Sequence, residues 1–118
     1  MVLADTSVWI QHFRRGEPQL ARLLAEGLVL MHPFVLGELE CGNLKNRATI
    51  LSDLRALPSA KPASTAEALR LIEESRLWGR GLGWVDLHLL ASALLSGCGL
   101  WTLDKRLSAA AAKLGLSW

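Results

Sequence analysis

Met1-Val2-Leu3-Ala4-Asp5-Thr6-Ser7-Val8-Trp9-Ile10 opens the chain with a short apolar run that stops at an acid and passes directly into a second apolar pattern. Val2 to Ala4 suits a buried strand with Asp5 at its carboxyl end. Thr6 or Ser7 can then cap a helix holding Val8, Trp9, Ile10 and Phe13. Arg14-Arg15-Gly16 ends that helix. Glu17-Pro18 opens a second one with Leu20, Leu23 and Leu24 on one face, and Gly27 stops it before the strand-like Leu28-Val29-Leu30-Met31. The result is a β-α-β unit with apolar strands, the pattern of a parallel sheet covered on both faces.

The rest of the chain continues the alternation. His32-Pro33 turns into a helix bearing Phe34, Val35, Glu38, Leu39 and Gly42, and Arg47 to Leu57 makes another before Pro58. Ser59 to Pro62 is expected as a short edge strand, with Pro62 limiting its pairing. Ser64 or Thr65 caps a long amphipathic helix through Leu69, Ile72 and Leu77, and Glu67 stands where a capping box needs it. Gly79, Gly81 and Gly83 break the chain. Trp84 to Ser96 is almost wholly apolar and predicts an internal helix, followed by the strand Leu100-Trp101-Thr102. Asp104 starts a last helix that turns Leu107, Ala110, Ala111 and Leu114 inward.

At 118 residues the chain suits one domain, 1–118, that buries roughly two thirds of its unfolded surface. A hydrophobic fraction of 51% and a charged fraction of 20% exclude a disordered tail. Net charge is only +2, so any affinity for nucleic acid must come from local clusters of Lys and Arg. Cys41 and Cys98 form no metal-like pair, and a reduced interior is expected. The first residues lack a basic leader, and the longest uncharged run, Leu89 to Leu103, is too short and interrupted to span a bilayer. A cytoplasmic protein without membrane association is the expectation.

Four carboxylates stand at or beside apolar segments: Asp5, Glu38, Asp86 and Asp104. Burying several unpaired carboxylates is costly enough to require protonation, basic partners or a cation, and a cation is favoured here. Ligands of an open parallel sheet bind beyond the carboxyl ends of the strands where strand order reverses. Asp5 and Asp104 would share that crevice if their strands are neighbours, with Glu38 and Asp86 arriving on helices that begin near it. Plain helix capping competes for Asp5 and Asp104, and a first-turn acid also suits Asp86. Glu40 competes with Glu38, Asp53 is a solvated helix residue, and His12, His32 and His88 show no metal-ligand spacing.

Five stretches occur in a recognisable order: Asp5-Thr6-Ser7-Val8-Trp9-Ile10; Glu38 with Gly42; Gly83-Trp84-Val85-Asp86; Leu90-Ala91-Ser92-Ala93; and Leu100-Trp101-Thr102-Leu103-Asp104-Lys105-Arg106-Leu107. With this ordered set the chain resembles PIN-domain proteins, and specifically VapC-type toxins of bacterial toxin-antitoxin pairs. The resemblance implies a three-layer α/β/α sandwich with a parallel sheet of strand order 3-2-1-4-5, in which the first and fourth strands are neighbours. It also implies an endoribonuclease dependent on Mg²⁺ or Mn²⁺, cations that favour hard oxygen ligands. Water attack would leave 5′-phosphate and 3′-hydroxyl ends.

In that frame Asp5 and Asp86 are the firmest metal ligands, Glu38 a ligand or water-orienting base, and Asp104 a ligand to a second ion or through water. Thr6, Ser7 and Thr102 would orient the carboxylates, although capping explains Thr6 and Ser7 equally well. Arg14, Arg15, Lys105 and Arg106 flank the crevice in sequence as candidate contacts to RNA phosphates. Arg76 and Arg80 lie near Trp78 and Trp84, whose expected role is packing or interface rather than base stacking. Implied partners are RNA, a second copy in a homodimer, and a VapB-like antitoxin whose tail enters the acidic crevice. A PIN fold without catalysis remains an alternative. A phospho-accepting receiver lacks its early acid pair here, and a dehalogenase-like phosphatase would need an Asp where Ser7 stands.

Overall fold

Leu3 pairs with Leu30 on one side and with Leu100 on the other, both in parallel register. The computed structural model describes residues 1–118 and builds the sheet around that residue. Three strands, β1 (Val2–Ala4), β2 (Val29–Leu30) and β3 (Gly99–Trp101), lie in the order β2-β1-β3. The helices are α1 (Thr6–Arg15), α2 (Pro18–Ala25), α3 (Pro33–Glu40), α4 (Arg47–Arg55), α5 (Thr65–Ser75), α6 (Trp84–Ser96) and α7 (Lys105–Lys113). Successive strand residues face opposite sides, and Val2, Leu3 and Ala4 are all buried, so both faces of the sheet are covered.

Asp5 itself caps α1, where Thr6 or Ser7 was expected to. Glu17 and Pro18 open α2 as predicted, and Ser64 and Glu67 close a full capping box on α5. Helix α6 is internal, buried from Leu87 through Ala93. The expected edge strand at Ser59 to Pro62 shrinks to one parallel bridge, Ser59 with Met31; a second bridge joins Ser117 to Leu100. These bridges flank β2 and β3 where the outer strands of a 3-2-1-4-5 sheet would run, but neither extends into a strand. Pro58 and Pro62 bracket the first and limit its ladder. The neighbour relation that matters holds: β1 and β3, far apart in sequence, are paired along their whole length.

Candidate active site

Both β1 and β3 deliver an aspartate at their carboxyl ends. Asp5 follows β1 and accepts from the Ser7 N–H at 3.0 Å and the Val8 N–H at 3.4 Å. Asp104, beyond β3, accepts from the Arg106 N–H at 2.9 Å and the Leu107 N–H at 3.0 Å. Asp86 lies in the first turn of α6 and accepts from the Gly83 N–H at 2.9 Å. The capping interpretation is therefore correct for Asp5 and Asp104, and it does not compete with a shared crevice, because a parallel strand hands its chain to a helix N-terminus at that edge.

Hydroxyl groups link the two strand ends. Thr102 donates to Asp5 Oδ2 at 2.6 Å while its oxygen accepts from the Asp104 N–H at 3.0 Å. Ser7 donates to Asp5 Oδ1, and its oxygen accepts from the Leu103 N–H at 3.0 Å. Each oxygen of Asp5 is thus fixed by a hydroxyl that is itself fixed by the loop leading to Asp104. Glu38 joins from α3 by accepting from the Thr6 hydroxyl at 2.7 Å. Its competitor Glu40 is instead ion-paired with Arg55, and Asp53 is exposed on α4.

Burial is graded across the four acids. Asp5 is buried, Asp86 half-buried, and Glu38 and Asp104 are exposed at the rim. Hydrogen bonds satisfy the buried Asp5, a means of holding a carboxylate that differs from protonation, a basic partner or a cation. Asp86 is less settled. Burial pushes its carboxyl above the usual range, the Gly83 N–H partly opposes this, and the charges of Asp104 and Asp5 push it further. The molecule has a single ion pair, Arg55 with Glu40, so no basic side chain neutralises the group.

This donor set is all carboxylate oxygen, which suits a hard divalent cation. No three His, Cys, Asp or Glu side chains form a ready-made cage. Magnesium keeps several waters and is commonly held by one or two carboxylates, so the chemistry of the set fits such an ion without a cage.

The basic candidates separate. Lys105 and Arg106 occupy the first turn of α7 beside Asp104. Arg14 and Arg15 end α1, roughly 14 Å along its axis from Asp5 at 1.5 Å per residue. Arg14 instead lines a groove of about 590 Å³ with Ile10, Phe13, Glu38, Leu39 and Lys45. His32, read from sequence as a core or surface residue, is buried and caps α3 by accepting from the Phe34 N–H at 2.9 Å. Its position before Pro33 at the helix start was the available signal.

Aspartates at the carboxyl ends of adjacent parallel strands, linked through Thr102 and close enough to Asp86 to act on its charge, define the class to which the sequence pattern also points. The PIN domain pattern matches residues 2–113, and the chain belongs to the PIN-domain family. Within the family it is of the VapC type. It is 47% identical to the protein named Ribonuclease VapC32 from Mycobacterium tuberculosis, in strains CDC 1551 / Oshkosh and ATCC 25618 / H37Rv, over 99% of this chain and 95% of the relative. The fold is similar to the crystal structure of PAE2754 from Pyrobaculum aerophilum, with a TM-score of 0.61 and 19% identity over 92% of this chain and 77% of that one.

Proposed function

We propose that this chain is a metal-dependent endoribonuclease, the toxin of a toxin-antitoxin pair, which hydrolyses RNA phosphodiester bonds and thereby inhibits translation or growth. The observation that carries this is the placement of Asp5 and Asp104, linked through Thr102, beside a half-buried Asp86 that no basic side chain pairs with, where burial and then the charges of Asp104 and Asp5 oppose its ionisation. A divalent cation relieves such a surplus of negative charge. The printed name of the VapC32 relatives supports RNA as the substrate.

Asp5 and Asp86 would hold Mg²⁺ or Mn²⁺, Asp104 would add a ligand directly or through water, and Glu38 would serve as ligand or as the base orienting the attacking water. When bound, the ion supplies Lewis-acid charge at the scissile phosphate and the leaving oxygen. Ser7 and Thr102 hold Asp5 in one rotamer, Thr6 holds Glu38, and the Gly83 N–H holds Asp86. Those bonds remove rotamer freedom from the carboxylates before substrate arrives.

The same proposal includes a VapB-like antitoxin and a homodimer. The antitoxin tail would enter the acidic crevice with an Arg near the carboxylates, and the groove beside Glu38, lined by Ile10, Phe13 and Leu39 with Arg14 and Lys45, would seat the residues that lead there. Phe34 and Trp84, both partly exposed and each in edge-to-face contact with His88, would offer an apolar face to a second copy. Cys41 and Cys98, both free, suit a reducing cytoplasm.

The decisive experiment incubates antitoxin-free protein with structured RNAs in Mg²⁺, Mn²⁺ or chelator, beside Asp5→Ala and Asp86→Asn. Cleavage is expected only for the unsubstituted protein with metal, and cleavage that survives chelation or both substitutions refutes the mechanism. Induction in cells should arrest growth, with relief by a neighbouring small reading frame; a binding-only PIN fold would do neither.

A further inference from the structure

Between α5 and α6 the chain makes a loop, Leu77-Trp78-Gly79-Arg80-Gly81-Leu82-Gly83, that ends against the acids. Helix α5 stops at Arg76, whose φ of +51° is left-handed, and the Leu77 N–H returns 3.0 Å to the Ile72 carbonyl. Leu77 is buried and Leu82 packs on the core, so the loop is anchored at both ends. Gly79 and Gly81, with φ of +68° and +75°, turn the chain between these anchors in a conformation that other residues resist.

What the turn displays is unused by the fold. Trp78 is 58% exposed, whereas Trp84, expected like it to pack, is 44% exposed and meets His88 edge-on at 4.5 Å. Arg80 Nε donates to the Arg76 carbonyl at 2.9 Å, which fixes its stem and leaves its terminal nitrogens without a carboxylate partner. Arg106 lies across Gly81 so closely that a Cβ there would stand 2.7 Å from its Cδ and 2.8 Å from its Nη1. The loop is also tied to the acids, since the Gly83 N–H donates to Asp86 and the Arg106 N–H donates to Asp104.

We propose that this loop and Arg106 form a grip for single-stranded RNA, in which Trp78 stacks on an unpaired base and Arg80 and Arg106 hold the neighbouring phosphates. The grip would present the scissile phosphate to Asp86 and Asp104. It rests on the ribonuclease assignment and adds the form of RNA: an unstacked segment, because an indole face needs a base face. An acidic peptide would meet the two guanidinium groups equally well but would gain nothing from an indole.

The test uses the full chain and a short end-labelled single-stranded RNA, with binding read by fluorescence anisotropy in chelator so that the RNA stays intact. Trp78→Ala is expected to weaken binding about fivefold to a hundredfold, with Trp78→Phe recovering most of it and Trp118→Ala, another exposed indole, changing nothing. An abasic oligonucleotide of the same length should remove the dependence on Trp78 while keeping that on Arg80 and Arg106. Arg80→Gln should lower the salt dependence by about one counterion. In turnover, Trp78→Ala should raise KM with kcat nearly unchanged. Unchanged binding by Trp78→Ala, or an equal loss on the abasic strand, overturns the grip and leaves the enzyme standing. If the unsubstituted protein neither binds nor cuts any RNA, the ribonuclease assignment falls first and the grip with it.

Discussion

Asp86 carries a charge that its surroundings resist. Its carboxyl is raised above the ordinary 3.8 chiefly by burial and further by the charges of Asp104 and Asp5. An acid with a raised folded pKa contributes stability that is fully present below its unfolded value and lost as pH rises through its folded value. At neutral pH and without metal, Asp86 therefore opposes folding. Asp86→Asn keeps an acceptor for the Gly83 N–H and removes the charge, so it should melt higher than the unsubstituted protein at pH 7 in chelator, with the gap closing as pH falls towards 3.8. The same variant should have lost cleavage. Asp5→Ala should behave oppositely: losing the α1 cap costs about 1–2 kcal/mol in a denaturant titration. Thr102→Val should leave the fold intact and reduce turnover roughly tenfold to a hundredfold, since it frees Asp5 Oδ2 and orphans the Asp104 N–H. The sequence made the acids legible through their places beside apolar runs, but it set capping and site formation against each other. Ser7 and Thr102 were expected to orient the carboxylates, but spacing could not show how fully they satisfy Asp5, because the bonds from Thr102 to Asp5 and from the Leu103 N–H to Ser7 cross from one strand end to the other.

At the scale of one element, α3 depends on a neutral imidazole. His32 Nδ1 accepts the Phe34 N–H, Nε2 is buried without a partner, and burial with the nearby His88 charge brings the pKa from 6.5 down to about 4. The unfolded chain binds the extra proton between these values, so stability is full above pH 6.5 and declines as pH falls to 4, by about 3 kcal/mol in all. His32→Asn retains a capping acceptor and should flatten that slope in urea titrations across the window. Helices of this kind were legible because caps and period agree: Ser64 with Glu67, Pro18 after Glu17, an apolar α6. The outer strands were legible only in part: the edge strand expected at Ser59 to Pro62 is one bridge at Ser59, and the bridge at Ser117 has no alternating pattern to mark it. Arg14 and Arg15 follow Asp5 closely only in sequence: α1 carries them along its axis to its far end, where Arg14 meets the groove beside Glu38.

For the molecule as a whole, a cation that binds only the folded state must stabilise it. At a metal concentration a hundredfold above Kd the gain is about 2.7 kcal/mol, so Mn²⁺ should raise the melting temperature of the unsubstituted protein, and Asp86→Asn should respond far less. Pairing of β1 with β3 has a consequence of another kind. Asp5 and Thr102, hydrogen-bonded to each other, are separated by 97 positions. A ribosome that has made the first ninety or so residues has therefore produced the first acid but neither the strand that flanks it nor the hydroxyl and aspartate that complete its surroundings. On the proposed assignment, a product that stops before β3 lacks Thr102 and Asp104 and is expected to cleave nothing, whatever else it has folded.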